Sequence, residues 1–420
     1  MIETISLQPG ITLRCCNDER FKTSCLSIQL IRPMCKEEAA ANALISAVLL
    51  RGTQNYPDLR DITWKLDDLY GASVGSLVRK ISDYQTTGFY CSFAQERYAM
   101  DSDAILEPML SFVQELLLHP RLENGVFFAD YVEGEKRNLL AAVEAQKNDK
   151  RAYSISRLNR YMCALDPVGV PRLGSPEDIR ALEPQGLYQQ YRRILRESQV
   201  ELFYVGDCPA QRLAQLLIPL FSEVDRDYRP LPPQTSFHDG GQTRNEETMD
   251  VAQAKLCMGF VTPCTLHTED YVAMRVFNTM FGSGMISKLF MNIREKMSLC
   301  YDISSNYSGG KGILTVSAGM DTNMADTVEN EVLHQLELCR QGDITEEELD
   351  AAKQALLSSL QSLYDSPGSI ENYFAVAALS GQTVTVEQYG QQIRAVTVPK
   401  LVELAGKLQL HSVFLLKGVQ

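Results

Sequence analysis

The alternation of hydrophobic and polar residues predicts strands and helices throughout the chain. Short segments rich in β-branched residues alternate between apolar and polar positions, as half-buried strands do. In the first half, such strands are predicted over 11–16, 23–31, 73–81 and 85–93. Residues 36–53 have helical spacing and reach Gly52, which predicts a helix that ends there. A longer helix is predicted over 126–147.

The same order of elements recurs in the second half. Residues 225–248 contain prolines, glycines and polar residues without periodicity, which predicts an interdomain linker. After it come a predicted strand over 249–261 and a helix ending at Gly282. Two halves of similar length with one element order indicate duplicated domains. We therefore expect an N-terminal domain over 1–224 and a C-terminal domain over 249–420.

The second half also has a counterpart to the long helix of the first half. Thr345 and Glu348 stand before a periodic apolar run and predict a capping box at the start of a helix over 344–365. A last strand over 408–418 repeats the buried strand predicted over 199–207.

The composition is that of a soluble globular protein and argues against some partners. The chain has 420 residues, of which 45% are hydrophobic and 22% charged. A net charge of −13 argues against nucleic acid or an anionic membrane and would suit a basic peptide. No stretch approaches the ~20 apolar residues of a membrane helix, and the N-terminus does not resemble a signal peptide. Eleven cysteines without CxxC spacing are typical of reduced thiols, so we expect a cytoplasmic protein.

One stretch carries candidate chemistry, FGSGMISKLFMNIREKMSLCY over 281–301. A Gly-rich turn at 282–284 is followed by helical spacing of apolar residues over 286–293. Arg294 near the helix end and Tyr301 at a strand start lie seven residues apart. An Arg offers a fork of donors to backbone carbonyls and a Tyr adds a hydroxyl, so the pair could hold an extended peptide. Two such residues are also common as ordinary surface and core side chains.

The stretch FGSGMISKLFMNIREKMSLCYDISS resembles the C-terminal signature of the pitrilysin/insulinase family of zinc peptidases, the inverzincins. The resemblance covers essentially the whole chain. It implies an α+β fold of two homologous domains, each a mixed, mostly antiparallel sheet covered by helices, which together form half of a clamshell. It also implies that Arg294 and Tyr301 bind the substrate backbone.

The resemblance further shows where a zinc site should lie and which residues replace it. Active members carry His-x-x-Glu-His on a helix shortly before Lys/Arg-Gly-Thr, and 51–53 (Arg-Gly-Thr) fits that tripeptide. Counting back, the two His positions fall on Ala43 and Ala47, and the Glu position falls on Ser46. The third ligand, a Glu of the next long helix, falls on Ala141–Ala142. None of these side chains can ligate zinc, so we expect no metal and no other cofactor in this chain.

No other residues restore a metal site or suggest another chemistry. The five histidines are scattered, and no two of them lie at three- or four-residue spacing. Ser46 has no His nearby in sequence and does not resemble a nucleophile elbow. An autonomous enzyme of another class is therefore the least favoured hypothesis.

The leading hypothesis is a catalytically inactive subunit of a heterodimeric zinc processing peptidase. It would supply Arg294 and Tyr301 as a peptide-binding wall to a zinc-bearing partner of the same family. A homodimer in the absence of that partner stays open. The alternative is a structural scaffold without substrate contact, like the core proteins of a respiratory complex.

Among the family's subgroups, the chain most resembles small inactive bacterial members. They are associated by name with the 5-aminopentanol modification of elongation factor P. Inactive partners encoded in bacteriocin-maturation operons look alike as well. The mitochondrial processing peptidase alpha subunit is a more distant relative, with a longer Gly-rich loop than the short turn at 282–284.

Overall fold

The computed structural model describes residues 2–100, 103–380 and 385–418, which form two compact units. Unit 1 comprises Met1–Glu144, Val170–Pro233 and Tyr364–Val376. Unit 2 comprises Ala145–Gly169, Gln234–Leu363 and Ala377–Gln420. No helix of the described ranges is both long enough and apolar enough to cross a membrane.

Strands and helices alternate in both units. The strands are β1 (Ile2–Gln8), β2 (Ile11–Asn17), β3 (Thr23–Pro33), β4 (Ser73–Ile81), β5 (Tyr84–Ala94), β6 (Leu122–Glu123), β7 (Val126–Phe127), β8 (Gln199–Gly206), β9 (Thr243–Met249), β10 (Ala254–Val261), β11 (Asp302–Ser308), β12 (Ile313–Met320) and β13 (Gln409–Gly418). The α-helices are α1 (Lys36–Leu49), α2 (Leu59–Asp68), α3 (Leu106–Leu118), α4 (Ala129–Ala145), α5 (Lys150–Met162), α6 (Pro176–Arg180), α7 (Pro184–Glu197), α8 (Ala210–Leu217), α9 (Tyr271–Gly282), α10 (Ala325–Arg340), α11 (Glu346–Ser362), α12 (Pro367–Ser380), α13 (Val386–Ala395) and α14 (Val398–Lys407). A π-helical segment covers Phe290–Lys296.

Unit 1 is built on a mixed sheet with the strand order β1-β2-β8-β3-β5-β4. β2 and β8 run parallel, and the other neighbours run antiparallel. β3 is buried along nearly its whole length, as expected for a central strand covered on both faces. Helices α1, α3, α7 and α8 enclose the apolar core on one face. Among the described strands, β4 lies at one edge of this sheet. It borders the site described below.

Unit 2 repeats this plan with the strand order β11-β12-β10-β13-β9. β13 and β9 run parallel, and the remaining pairs are antiparallel. Helices α9, α10, α11, α13 and α14 pack around its apolar core. The two sheet-containing units confirm the predicted α+β fold class. The capping box predicted at Thr345 and Glu348 is also present and opens α11.

The second face of each sheet is covered by a segment that is distant in sequence. In unit 1, Ile370 of the 364–376 segment is buried in a small cluster with Cys25. In unit 2, helix α5 packs on β10 and β13, with Leu158 against Cys257. A sheet whose two faces are both apolar needs cover on each side, and these segments provide it.

The compact units are therefore discontinuous in sequence, unlike the predicted ranges 1–224 and 249–420. Within the predicted linker 225–248, strand β9 begins at Thr243 and pairs with β13. The strand predicted over 249–261 is instead the end of β9 followed by β10. The division of the chain into functional domains stays a prediction.

Candidate functional site

Helix α1 carries the positions that sequence reasoning assigns to the lost metal site. Ten of its 14 residues are buried, because alanines and aliphatic residues let it pack closely on the sheet. Ala43 and Ala47 lie one turn apart and border the same pocket. Ser46 is buried, and its hydroxyl lies 2.6 Å from the hydroxyl of Ser76 on β4. The helix ends at Leu49, before the predicted stop at Gly52.

A pocket of about 430 Å³ lies where α1, α4 and β4 meet. We call it the alanine pocket, because Ala43 and Ala47 of α1 and Ala142 of α4 border it. Leu77 and Leu139 add to its apolar wall. Its volume falls in the range of small-ligand pockets, roughly 300–1,000 Å³.

The side chains of the alanine pocket do not fit zinc. A structural or catalytic zinc ion needs three or four nitrogen, sulfur or oxygen ligands, and an alanine methyl offers none. Across the described ranges, no group of three or more His, Cys, Asp or Glu could hold a metal ion. Ala142 borders the pocket together with Ala43 and Ala47, whereas Ala141 does not border it. Of the two candidate third-ligand positions, Ala142 is thus the one that faces the helix α1 alanines.

Two charged side chains that border the alanine pocket have partners of opposite charge. The Arg79 guanidinium donates two hydrogen bonds to the Glu371 carboxylate, at 2.9 and 2.8 Å. Glu135 lies 3.4 Å from Arg51 and accepts a hydrogen bond of 3.1 Å from Asn138. These pairs hold the polar side chains in place, and neither carboxylate is available as a general base without breaking its pair.

The segment of unit 2 with the Gly-rich turn differs from its predicted form. The end of α9 approaches β11 closely, since a Cβ at Gly282 would lie 2.6 Å from the Ser305 Oγ. The helix after the turn is π-helical over Phe290–Lys296, and Ile286 is 60% exposed outside it. The helix predicted after the turn is therefore present, but its form is π-helical and Ile286 lies outside it. Apolar spacing over two turns does not distinguish a π-helix from an α-helix.

Arg294 lies in the π-helical segment with its side chain 39% exposed. Its guanidinium lies over the Phe290 ring, 4.5 Å from the ring centroid. Its Nη1 is 3.2 Å from the Glu295 Oε1. Stacking on the ring restricts the side chain, which nevertheless stays partly exposed.

Tyr301 directly precedes β11 and is 53% exposed. Its backbone N–H donates to the Gly319 carbonyl at 2.7 Å, which fixes the residue at the strand start. Its hydroxyl donates to the Asp321 Oδ1 at 2.9 Å. This hydrogen bond and the charge of Asp321 raise the pKa of the Tyr301 phenol, so the hydroxyl stays a donor at neutral pH.

Cys300, which directly precedes Tyr301, is not a candidate nucleophile. Burial raises the pKa of its thiol to about 11, and the positive charge of Arg294 only partly opposes this shift. A thiol with such a pKa is almost wholly protonated near neutral pH.

Comparisons with known proteins agree with these features. A profile described as "Peptidase M16 inactive domain" matches residues 181–356. The "Probable inactive metalloprotease YmfF" of Bacillus subtilis (strain 168) is 29% identical over 421 residues, which cover 100% of this chain and 98% of that protein. The crystal structure of a conserved protein from Enterococcus faecalis V583 matches with a TM-score of 0.92 at 27% identity, covering 100% of this chain and 99% of that one.

The chain is similar over its full length to inactive members of the pitrilysin/insulinase family. A peptidase M16 inactive domain structure from Pseudomonas fluorescens, 17% identical with a TM-score of 0.80, shares the fold over 100% of this chain and 98% of that one. The chain is an inactive peptidase homologue of this kind, and Ala43, Ala47 and Ala142 stand at the positions that the sequence resemblance assigns to metal ligands.

The roles of Arg294 and Tyr301 as the family's substrate contacts stay predictions. Both residues lie in unit 2. Arg294 is in the π-helical segment, Tyr301 directly precedes β11, and both side chains are partly exposed. Each has a supporting partner that the sequence did not single out, Phe290 for Arg294 and Asp321 for Tyr301. The four-residue spacing of Phe290 and Arg294 in the sequence could have indicated this contact.

Sequence reasoning also missed a buried polar cluster around Glu371. Besides the two bonds from Arg79, Glu371 Oε1 accepts from Ser27 at 2.7 Å and from Gln29 at 2.8 Å. The Glu371 side chain is fully buried. No short motif marks this cluster, because its members lie on β3, β4 and α12, and only the fold brings them together.

Proposed function

We propose that this chain is the non-catalytic subunit of a heterodimeric zinc peptidase of the pitrilysin/insulinase family. It holds an extended peptide through Arg294 and Tyr301 while a zinc-bearing partner subunit of the same family hydrolyses it. We further propose that the complex works in the cytoplasm, in keeping with eleven cysteines of which ten are buried.

The contrast between the two candidate regions carries the proposal. The metal-ligand positions are alanines, which cannot activate water. The peptide-holding positions keep Arg294 and Tyr301, each exposed and each steadied by a neighbour. Loss of one function with retention of the other is what a subunit needs when its partner supplies the metal.

The surroundings of Arg294 support an interaction surface. Four apolar side chains of the same segment are strongly exposed, and such a group marks a contact region more often than a plain surface. They are Met285 at 77%, Ile286 at 60%, Met297 at 50% and Met291 at 39% exposure. Methionine side chains adapt to differently shaped partners, which suits a wall that receives several peptide sequences.

The division of labour is physically reasonable. Metal in the partner polarises the scissile carbonyl, and remote contacts hold the peptide extended in a reactive geometry. Arg294 donates to peptide carbonyls, and the protonated hydroxyl of Tyr301 provides a second anchor. A net charge of −13 favours encounter with basic peptides.

The first experiment is reconstitution. The purified chain is mixed with a His-x-x-Glu-His relative from its own organism, and the mixture is examined by sedimentation and by peptide turnover. We expect a one-to-one complex that turns over peptide with zinc, while this chain alone is inactive with or without zinc. Two independent monomers would contradict the proposal, and so would metal-dependent turnover by this chain alone.

A further inference from the structure

The alanine pocket has features of a binding site in its own right. Its apolar wall includes Ala43, Ala47 and Ala142, whose small side chains leave the space open. One residue at its margin, Arg172, brings a positive charge to this apolar surface. An apolar wall with a few placed polar groups is the usual composition of a small-ligand pocket.

Arg172 is held in position by contacts of the loop that carries it. Its backbone carbonyl accepts a hydrogen bond of 2.8 Å from Gln85, and its Nη1 donates to the Val78 carbonyl at 2.5 Å. Gly174 presses against helix α1, since a Cβ there would lie 2.6 Å from the Ala40 Cβ. Gly174 also has φ +76°, a conformation that favours glycine. The loop therefore holds Arg172 at a defined position beside the pocket.

Arg172 differs from the other charged residues of the pocket because it has no counter-charge. Within the described part of the chain, no carboxylate forms an ion pair with it, and burial lowers the pKa of its guanidinium. Arg79 is neutralised by Glu371, and Glu135 is paired with Arg51. The pocket thus keeps one uncompensated positive charge, and a partly desolvated cation is stabilised when an anion pairs with it.

We propose that the alanine pocket binds the C-terminal residue of a peptide, with an apolar side chain against the alanines and the terminal carboxylate on Arg172. A carboxylate matches the planar fork of a guanidinium and can accept two hydrogen bonds from it. The alanines that removed the metal ligands also made the room that the apolar side chain occupies. This site lies in unit 1 and is independent of the proposed roles of Arg294 and Tyr301.

A peptide terminus fits this place better than a continuous added strand. The loop at 170–173 lies against the later part of β4, where Arg172 donates to the Val78 carbonyl and Lys80 donates to the Val170 carbonyl. Part of the β4 backbone is therefore already covered. A bound peptide whose C-terminus lies at Arg172 avoids this loop, whereas a peptide that extended further along β4 would clash with it.

The test uses N-acetyl-Gly-Gly-Leu as the free acid and, as the matched control ligand, as the C-terminal amide. Binding is followed by the methyl signals of Ala43, Ala47 and Ala142 in protein labelled at alanine. We expect the free acid to bind at least about ten-fold more tightly than the amide, because only the acid pairs with Arg172. The shifts should appear at the three pocket alanines.

Three variants complete the test. Arg172→Gln should reduce binding of the acid to the level of the amide, while Arg180→Gln, at an exposed arginine of the same unit, should leave the difference intact. Ala47→Leu should fill the pocket and abolish binding of both ligands. Equal affinity for acid and amide in the unchanged protein would overturn the proposal. An unchanged preference in Arg172→Gln would overturn it as well, and that substitution keeps the backbone carbonyl that Gln85 contacts, so it should not impair folding.

Discussion

The Tyr301 hydroxyl donates a hydrogen bond of 2.9 Å to the Asp321 Oδ1, and this carboxylate controls the protonation of the phenol. A negative charge beside the phenol opposes formation of phenolate, so the pKa of Tyr301 lies above its ordinary value of 10.0. The hydroxyl thus remains a hydrogen-bond donor at any pH where the protein is expected to work. Its orientation toward Asp321 also fixes the ring at the start of β11.

The Tyr301–Asp321 pair predicts a directed shift of a pKa. In Asp321→Asn the charge is gone while the hydrogen-bond acceptor remains, so the pKa of Tyr301 should fall toward its ordinary value. Phenolate would then form at lower pH than in the unchanged protein. An ultraviolet difference titration against Tyr301→Phe isolates this one phenol among 18 tyrosines.

A control for this titration lies five residues further on. Asp326 is exposed at the start of α10, and Asp326→Asn should leave the Tyr301 titration unchanged. An unaltered pKa of Tyr301 in Asp321→Asn would show that the carboxylate does not act on the phenol.

The geometry of the alanine pocket predicts that a metal site can be rebuilt there. Ala43→His with Ala47→His places two imidazoles one turn apart on α1, and Ala142→Glu adds a carboxylate from α4. We expect the triple variant to bind zinc at least about ten-fold more tightly than the double variant, a gain of ~1.4 kcal/mol or more. Competition with a colorimetric zinc chelator measures both affinities.

The neighbouring residue provides the matched control for the rebuilt site. Ala141 does not border the pocket, so Ala141→Glu on the same double-His background should add nothing to zinc affinity. A stronger effect from Ala141→Glu than from Ala142→Glu would contradict the placement of α4.

The Arg79–Glu371 pair predicts a large loss of stability in unit 1. Glu371→Ala removes the acceptor for Arg79, Ser27 and Gln29 and leaves a guanidinium that is only 21% exposed without a counter-charge. Breaking a buried pair in this way costs about 3 kcal/mol of unfolding free energy. Urea unfolding followed by the single tryptophan, Trp64, reports on unit 1 alone.

An exposed ion pair of the same unit serves as the comparison. Glu177 and Arg180 are both mostly exposed and 4.0 Å apart, so Glu177→Ala should change the unfolding free energy by less than about 1 kcal/mol. Equal effects of Glu177→Ala and Glu371→Ala would mean that the buried cluster contributes no more than a surface pair.

Much of the fold could be predicted from the sequence, because many of its elements are determined by local residue patterns. β4 and β5 were predicted over 73–81 and 85–93, and the structure has Ser73–Ile81 and Tyr84–Ala94. Their alternation and the turn between them are local signals. The capping box of Thr345 and Glu348 is likewise local and is confirmed.

The parts that could not be predicted depend on tertiary packing. Glu371 lies in a helix whose sequence gives no sign that it covers the sheet of unit 1. The apolar residues of 286–293 fit an α-helix equally well, and only packing selects the π-helical form from Phe290 onward. The unpaired charge of Arg172 depends on which side chains surround it in space. The family resemblance located Ala43 and Ala47, but the fold was needed to choose Ala142 over Ala141.

The central claim, that this chain holds peptide without cutting it, is tested most directly by the kinetics of an assembled complex. The measurement is kcat/KM of the zinc-bearing partner bound to this chain, to its Arg294→Ala variant, and to Lys296→Ala as a control from the same segment. Lost hydrogen bonds from a charged donor cost about 1.5–3 kcal/mol, so Arg294→Ala should lower kcat/KM by ~10-fold or more while the complex still forms. Lys296→Ala should leave it unchanged. An Arg294→Ala complex with the kcat/KM of the unchanged complex would contradict the claim and favour a structural scaffold.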